Sequence, residues 1–339
     1  MSVHADVDTW CRDDPAYAAP CGRVRVLEKR LLGAARIEEL LGARDLAALL
    51  RMLVQFGALS GGCEPLEREW ERALELSLRE SDRVLLAIDP QPTVSEILVA
   101  RADLVNLRSL LRSRALGIPF DGAWHPRGRF GRTALEDMAR LGEWGAWPAP
   151  LARALGAIGD IGPSCTLAVL NDTLDTAWFG ALLAAARASG SRFFADWLGH
   201  AADLANLRAR LRVAAAPRAW PAPLALLPGG HLGAEYFAAG ATPDEMLAGI
   251  SRTVYAPLVE HARDAQGRVS LATLERAADD FLTRLLGPAR FVSLGPEPLW
   301  AWHLAREIDA KNVRAIVLGA LAGIDPDRRR ALLRQTHDA

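Results

Sequence analysis

The chain has 339 residues, half of them hydrophobic, and its 40 Lys and Arg residues nearly balance its 41 Asp and Glu residues. This balance gives no support for a nucleic-acid-binding protein, which normally carries a basic excess. The first twenty residues contain several charges and no apolar run, so no signal peptide is predicted. The longest charge-free stretch, between Arg218 and Glu235, is interrupted by prolines and glycines and is too short to cross a bilayer. We therefore expect a soluble, cytosolic protein with a large core.

Helical periodicity dominates the chain from residue 23 onward. Apolar residues recur at three- and four-residue steps, with charged residues on the opposite faces, over residues 23–32, 37–54 and 65–88. Strand-like alternation is almost absent. Proline and glycine mark the joints at Asp89–Pro90, Gly117–Pro119, Trp147–Pro148, Pro228–Gly230 and Gly295–Pro296. The sequence predicts an all-α fold.

The pattern Asp-x-x-Asn-Leu/Val-Arg occurs three times, beginning at Asp103, Asp203 and Asp309. An apolar helix precedes each copy, and the first two copies lead into glycine-containing turns that end in RGRFG (127–131) and GGHLG (229–233). This self-similarity predicts three divergent copies of one helical unit of about a hundred residues. The predicted organisation is an N-terminal segment followed by three repeats: 1–22, 23–131, 132–233 and 234–339.

On a helical wheel, Asp103 and Asn106 lie together at the border of an apolar stripe formed by Leu104, Leu107 and Leu111. A buried polar atom without a partner costs about 1–3 kcal/mol, so we expect the pair to bind a neighbouring backbone or Arg in every repeat. A catalytic or ion-conducting set of three aspartates is the alternative, and no nucleophile or metal partner accompanies them. The residues assigned to the structural repeat motif are Asp103, Asn106, Arg108, Asp203, Asn206, Arg208, Asp309, Asn312 and Arg314.

Two pairs of arginines on the motif helices are one turn apart: Arg108 with Arg112, and Arg208 with Arg212. Like charges at this spacing repel by a few tenths of a kcal/mol, a repulsion that an acidic partner relieves. A solvated helix face or an internal salt bridge is one interpretation. An interface with another, acidic subunit is the other, so these four arginines are the candidate interface residues.

Motifs of catalysis are missing from the sequence. It has neither a phosphate-binding loop nor a His-Glu-x-x-His pattern, and its seven histidines are isolated along the chain. His125, His231 and His303 are interpreted as surface or helix-end residues. Asp279–Asp280 is similar to a metal-binding Asp-rich helix, but no further Asp follows a turn later. We predict no catalytic residue, no cofactor-binding residue, no cofactor and no metal ligand.

Three features together resemble the C subunit of V/A-type ATP synthases, the family whose eukaryotic member is called the d subunit. They are GRVRVLEKRLL (22–32), the three motif-bearing units, and the final REIDAKNVRAIVLGALAGI (306–324). The resemblance extends from about residue 17 to about residue 334. It implies a funnel-shaped, all-α protein with three similar domains around a pseudo-threefold axis.

The resemblance also implies a function and partners. Such a protein sits on the cytoplasmic face of the membrane ring of proteolipids (c, K or L) and forms a socket for the central shaft, which the D and F subunits make. It has no active site and no membrane span, and it passes torque between the ATP-driven shaft and the ring that carries H⁺ or Na⁺. Polar docking through arginine is expected, so Arg→Glu at Arg108 or Arg208 is predicted to weaken assembly.

Two alternatives remain open at the level of the sequence. A free-standing helical-repeat scaffold that binds other proteins would have the same periodicity and the same internal repeats. An all-α enzyme, such as one of the Asp-rich, prenyl-transfer type, is the third interpretation.

Overall fold

The structure is a computed structural model that describes residues 13–60, 68–120, 122, 124–158, 166–214, 225–237, 242–263, 267 and 269–338. Within these ranges the regular structure is helical, and the β pairing is a single isolated bridge between Arg263 and Val269. The prediction of an all-α fold is confirmed. The α-helices are α1 (Ala18–Glu28), α2 (Ala34–Leu41), α3 (Leu46–Gln55), α4 (Trp70–Ile88), α5 (Thr93–Val99), α6 (Arg101–Leu116), α7 (Arg132–Leu141), α8 (Ala149–Gly156), α9 (Leu167–Ala188), α10 (Arg192–Ala214), α11 (Pro243–Ile250), α12 (Ala256–His261), α13 (Leu271–Leu286), α14 (Glu297–Leu321) and α15 (Pro326–Arg330).

The predicted helical segment 37–54 is divided into two helices by a capping residue. Helix α2 ends at Leu41, and the side chain of Asp45 accepts a hydrogen bond of 2.7 Å from the backbone N–H of Ala48, which starts α3. An N-cap of this kind satisfies one of the donors that a helix start leaves free. Both helices bury their apolar residues in the same hydrophobic cluster.

The described chain forms two compact units. The first combines the described residues within 1–90 and 276–339, so helices from the N-terminal and C-terminal parts of the chain share one core. Helix α14 is central to it and packs against α1, α3, α4 and α15. Val313, Ile316 and Val317 of α14 are fully buried among leucines of α2, α3 and α4. Burial of this apolar stripe stabilises a helix that has no capping side chain at its N-terminus.

The second unit comprises residues 91–275. Its central element is α9, which packs against α5, α6, α8 and α10. Leu170, Leu174 and Leu182 of α9 are completely buried. Helix α6 ends where Gly117 adopts a left-handed conformation with φ of 65°, a conformation that glycine adopts without strain. The predicted joint at Gly117–Pro119 therefore coincides with a helix end.

The two units group residues that are close in space. The predicted organisation instead groups residues by similarity along the sequence, into a segment 1–22 and the repeats 23–131, 132–233 and 234–339. The division into repeats stays a prediction, as does the pseudo-threefold funnel. In the part of the chain that the structure describes, none of the helices has the length and apolar character that crossing a membrane requires.

Candidate functional site

The three copies of the motif lie on α6, α10 and α14, and each copy buries its Asp and Asn side chains. Asp103 is 0% exposed and Asn106 is 2% exposed, with similar values in the other two copies. The helical wheel places these residues at the border of the apolar stripe, and downstream loops cover this edge of the helix in the first two copies, which buries the side chains. The predicted apolar stripe is confirmed by the buried residues Leu104, Leu107, Leu111, Leu204, Leu207, Leu211, Val313 and Val317.

Each motif asparagine pairs with both backbone groups of one downstream residue. Oδ1 of Asn106 accepts from the N–H of His125 at 2.8 Å, and Nδ2 donates to the carbonyl oxygen of His125 at 3.2 Å. The same two bonds, at 2.8 and 3.1 Å, join Asn206 with Leu227 and Asn312 with Arg334. A side-chain amide has one acceptor and two donors in one plane, which matches such a backbone segment. The predicted tie to neighbouring backbone is therefore present in all three copies.

The aspartate of the first copy binds the downstream turn at three points. Oδ1 of Asp103 accepts from the backbone N–H groups of Arg129 and Phe130 at 2.6 and 3.1 Å, and Oδ2 accepts from the Arg129 guanidinium at 3.0 Å. Gly128 allows this close approach, because a Cβ atom there would lie 2.5 Å from Nδ2 of Asn106. The turn RGRFG is thus held by a buried carboxylate with a charged partner.

The aspartate of the second copy binds its own turn in the same way but with a different third donor. The backbone N–H groups of His231 and Leu232 each lie 3.1 Å from a carboxylate oxygen of Asp203. The third donor is the hydroxyl of Tyr255, at 2.7 Å. A Cβ atom at Gly230 would lie 2.2 Å from Oδ1 of Asp203, so this turn also needs glycine. The sequence match between RGRFG and GGHLG therefore corresponds to matching hydrogen bonds.

The aspartate of the third copy has a different partner. Oδ2 of Asp309 accepts from the backbone N–H of Leu32, in the turn that follows α1, at 3.1 Å, and the guanidinium of Arg306 lies 3.6 Å away. Asp309 therefore ties the C-terminal motif helix to the N-terminal part of the chain. The Asp-x-x-Asn-Leu/Val-Arg pattern does not predict this long-range contact.

Burial controls the protonation equilibria at these positions. It raises the pKa of the Asp309 carboxyl to about 7, against the lowering effect of Arg306. It also raises the pKa of Asp103, where hydrogen bonds from Phe130 and Arg129 limit the rise. Burial, assisted by the hydrogen bond to Asp203, raises the pKa of the Tyr255 hydroxyl. The Tyr255 hydroxyl is therefore protonated at neutral pH, and it donates to Asp203.

Arginines of the motif helices form ion pairs with acidic residues on the helices that precede the motif in another copy. The three pairs are Arg108 with Asp175 at 2.5 Å, Arg212 with Glu275, and Arg314 with Glu75. Each acidic residue follows a leucine, at positions 74–75, 174–175 and 274–275. Sequence reasoning missed these partners, although the equal spacing of the Leu-acid pairs was a signal that could have identified them.

The candidate interface arginines have different environments. For Arg108 and Arg212, the structure shows the internal salt bridge that was one of the two predicted interpretations. The Nε of Arg208 donates to the carbonyl oxygen of Leu204 at 3.2 Å, within its own helix. Arg112 is exposed on α6. A role of these arginines in binding another subunit stays a prediction.

The Asp-rich pair on α13 is held by cations and backbone of the same chain. Asp279 lies 3.0 Å from Nζ of Lys311 and 3.2 Å from Nε of Arg334, and Asp280 accepts from the N–H of Gln335 at 2.6 Å. The motif aspartates likewise use their oxygens to accept from backbone, tyrosine and arginine donors. These arrangements join helices to loops, which is a structural role.

The histidines only partly follow the prediction of surface or helix-end positions. His303 lies inside α14 and is 3% exposed, with Nδ1 at 3.5 Å from the buried carboxylate of Asp82. The prediction for His303 was wrong because α14 is central to its unit and buries most of its circumference. His125 contributes its backbone to the Asn106 pair, and His231 is exposed in the GGHLG turn, as predicted.

Comparisons with known proteins agree with this structural role. The family model described as ATP synthase (C/AC39) subunit matches residues 20–332. The chain is also similar to the C subunit of the V-type sodium ATPase of Enterococcus hirae, with 30% identity over 71 residues, 21% of this chain and 22% of that protein. The aligned stretch thus spans about a fifth of the relative's length. The chain belongs to the ATP synthase (C/AC39) subunit family, which is a structural part of the stalk of V-type rotary ATPases and is not catalytic by itself.

Proposed function

We propose that this chain is the socket of the central stalk in a V/A-type rotary ATPase. It receives the D–F shaft on one side and rests on the proteolipid ring on the other, so that torque links ATP turnover to H⁺ or Na⁺ translocation. The observation that carries the proposal is the family match over residues 20–332. The partner subunits and the transmission of torque go beyond that match, and they are what the experiments below test.

The order of the ion pairs supports a closed arrangement of three repeats. The first motif helix pairs with the pre-motif helix of the second copy, the second with that of the third, and the third with that of the first. Such an order is cyclic, whereas an open array of repeats would leave its first and last copies unpaired. We propose that the three copies close on each other around the shaft, as a collar.

The exposed arginines of the motif helices are the proposed contacts with the other subunits. Arg112 and Arg212 occupy the same position in two copies and are exposed, although Arg212 also binds Glu275. A planar guanidinium that is partly free of its own chain suits carboxylates of a partner. The protein is proposed to act at the cytoplasmic face of the membrane, as a peripheral part of the complex.

Binding of purified D–F complex by isothermal titration calorimetry, with the full-length chain, is the first test. We expect one D–F complex to bind per chain, and Arg112→Glu to weaken binding of D–F or of the detergent-solubilised proteolipid ring. Arg140→Glu is the matched control, since Arg140 is an exposed arginine of the same unit that pairs with Asp137 within α7. Circular dichroism confirms that each variant is folded.

Two results would contradict the proposal in different ways. A folded chain that binds neither D–F nor the ring would remove the socket function altogether. Normal binding by Arg112→Glu, together with normal ATP-driven ion transport in the reconstituted complex, would remove only the proposed arginine contact.

A further inference from the structure

Three potential metal ligands lie close together in the second unit, away from the ion pairs described above. Asp196 and His200 are one turn apart on α10, and His231 belongs to the GGHLG turn. Nε2 of His231 lies 3.4 Å from one carboxylate oxygen of Asp196, and Nε2 of His200 lies 3.8 Å from the other. The centroids of the two imidazole rings are 4.4 Å apart. One ligand atom from each of the three residues therefore lies within 4.8 Å of the other two.

These separations are close to those around a small tetrahedral ion. Zinc binds imidazole nitrogen and carboxylate oxygen at about 2.0–2.2 Å, which places two ligands of a tetrahedron roughly 3.3–3.5 Å apart. The distances of 3.4 and 3.8 Å end on different oxygens of Asp196. Since one ligand atom from each residue lies within 4.8 Å of the others, the side chains must move together by roughly 1 Å to bind the ion. Nε2 of His231 also lies 3.1 Å from the carbonyl oxygen of Asp196, a contact that a bound ion would replace.

The His200 ring is oriented by a second layer of hydrogen bonds. The Tyr255 hydroxyl donates to Asp203 at 2.7 Å, so it accepts from Nδ1–H of His200 at 2.8 Å. This tautomer leaves the lone pair of Nε2 directed towards Asp196. Asp203 is 1% exposed and also holds the backbone N–H of His231, so one buried carboxylate orients both histidines. Metal-binding histidines in proteins are oriented by partners of this kind.

A glycine in the middle of α10 makes room for the third ligand. A Cβ atom at Gly199 would lie 2.4 Å from Nε2 of His231, closer than non-bonded atoms approach. Glycine inside a helix costs about 1 kcal/mol relative to alanine. Gly199 thus lies at the position of α10 that the imidazole ring of His231 approaches.

The other two copies place an arginine where the second copy has histidine. Arg129 of the first copy aligns with His231, and it binds Asp103 at 3.0 Å. Arg306 of the third copy aligns with His200, and it lies 3.6 Å from Asp309. In both of these copies a fixed cation accompanies the buried motif aspartate. The second copy has histidine at both of these positions, and an imidazole can be neutral. A bound cation would therefore supply the positive charge that arginine supplies in the first and third copies.

We propose that Asp196, His200 and His231 bind a divalent cation of the zinc class, with a fourth position open to water. The ion would join α10 to the GGHLG turn and so fasten the loop of the second copy. Two imidazole ligands favour Zn²⁺, Ni²⁺ or Cu²⁺ over Mg²⁺ and Ca²⁺, which prefer oxygen ligands. This proposal is independent of the proposed socket function.

The test uses full-length protein freed of metal with a chelator and titrated with Zn²⁺ by calorimetry. We expect one Zn²⁺ per chain, no binding of Mg²⁺, and intense visible absorption of a four-coordinate complex when Co²⁺ replaces Zn²⁺. His231→Ala should weaken Zn²⁺ binding at least tenfold, and Tyr255→Phe should weaken it roughly 10–100-fold through the orientation of His200. The control is His261→Ala, an exposed histidine of the same unit at the end of α12, which should leave binding unchanged.

A second variant keeps all three ligands and changes only the space between them. Gly199→Ala should displace the His231 ring and abolish the Co²⁺ spectrum. The variant should keep the helix content of the unchanged protein, as measured by circular dichroism. The proposal is overturned if the metal-free protein takes up no Zn²⁺. It is also overturned if His231→Ala and Gly199→Ala bind Zn²⁺ as the unchanged protein does, since the ion would then lie elsewhere.

Discussion

The first and second copies of the motif hold their loops with the same backbone hydrogen bonds but place positive charge differently. Asp103 is neutralised by the guanidinium of Arg129, which reaches it from the loop it binds. Asp203 receives a neutral hydroxyl from Tyr255, and the residue that replaces Arg129 is His231, whose ring turns towards α10. The backbone contacts of the motif are therefore constant, while the charged partner of the aspartate is free to change.

The third copy extends this comparison to the ends of the chain. Asn312 binds its downstream residue as the other asparagines do, whereas Asp309 binds Leu32 in the N-terminal part of the chain. The asparagine thus has one function in all copies, namely holding the segment that follows its helix. The aspartate holds whichever backbone lies over its side of the helix. The predictions below test this division, starting with the largest expected effect.

Removal of the carboxylate in the first copy should have the largest effect on stability. Asp103→Ala leaves two partly buried backbone N–H groups and the Arg129 guanidinium without their acceptor, and we expect the free energy of unfolding to decrease by about 3–5 kcal/mol. Urea denaturation followed by circular dichroism measures it. Asp137→Ala, which removes a 54% exposed carboxylate of α7, should cost below about 0.5 kcal/mol. Equal effects of the two substitutions would show that the buried carboxylate contributes no specific stability.

The buried carboxyl of Asp309 in the third copy should make the stability of the protein depend on pH. Burial raises the pKa of Asp309 from about 3.9 in an unfolded chain to about 7 in the folded protein. Between these values the folded state holds one more proton than the unfolded state, so the free energy of unfolding decreases as the pH rises, by up to about 4 kcal/mol. Asp309→Asn, whose amide oxygen can still accept from Leu32, should remove this part of the decrease. Parallel pH profiles of the two proteins would contradict the assignment.

Loss of the neutral donor in the second copy should have an intermediate effect. Tyr255→Phe removes the hydroxyl that joins Asp203 to His200, and we expect a decrease in the free energy of unfolding of about 1–3 kcal/mol. Thermal denaturation of metal-free protein measures it without a contribution from bound ions. Tyr236→Phe, at a partly exposed tyrosine of the same unit, should change stability little. If both variants have the same midpoint of thermal denaturation as the unchanged protein, the Tyr255 hydroxyl does not stabilise the second copy.

The ion pairs between copies should contribute least, in an order set by their exposure. Glu75 is 9% exposed in its pair with Arg314, whereas Asp175 is 46% exposed in its pair with Arg108 and Arg212 is 62% exposed in its pair with Glu275. Exposed pairs contribute about 0–1 kcal/mol because water screens them. Double-mutant cycles should therefore give the largest coupling for Arg314 with Glu75. A larger coupling for Arg212 with Glu275 would mean that exposure does not set the order.

Local periodicity was sufficient to predict the helical class and the buried stripes of the motif helices. Leucines and valines of the motif helices recur at helical spacing, and those in the predicted stripe are buried. The N-cap at Asp45, which splits residues 37–54 into α2 and α3, is the kind of detail that periodicity does not report. It depends on the backbone conformation of a single residue rather than on the apolar repeat.

The sequence predicted that the polar residues of the motif need hydrogen-bond partners, but it did not predict which partners they have. That Asn106 and Asp103 needed hydrogen-bond partners followed from their place beside a buried stripe, and the repeated motif showed that all three copies share this need. Which backbone satisfies Asp309 depends on how the N-terminal turn returns to α14, and no spacing within the motif contains that information. His303 was misjudged because the burial of α14 on most sides is a property of its neighbours.

The sequence by itself determined the helical class, the three copies of the motif, the absence of known catalytic patterns and the family to which the chain belongs. These properties are encoded in local spacing and in residue types that can be compared along one chain. Only the tertiary structure decided which acid pairs with which arginine, which loop covers each aspartate, and that Asp196, His200 and His231 come together. Each of these depends on the path of the chain between helices, because contacts between residues 26 to 277 positions apart form only when the loops bring them within hydrogen-bonding distance.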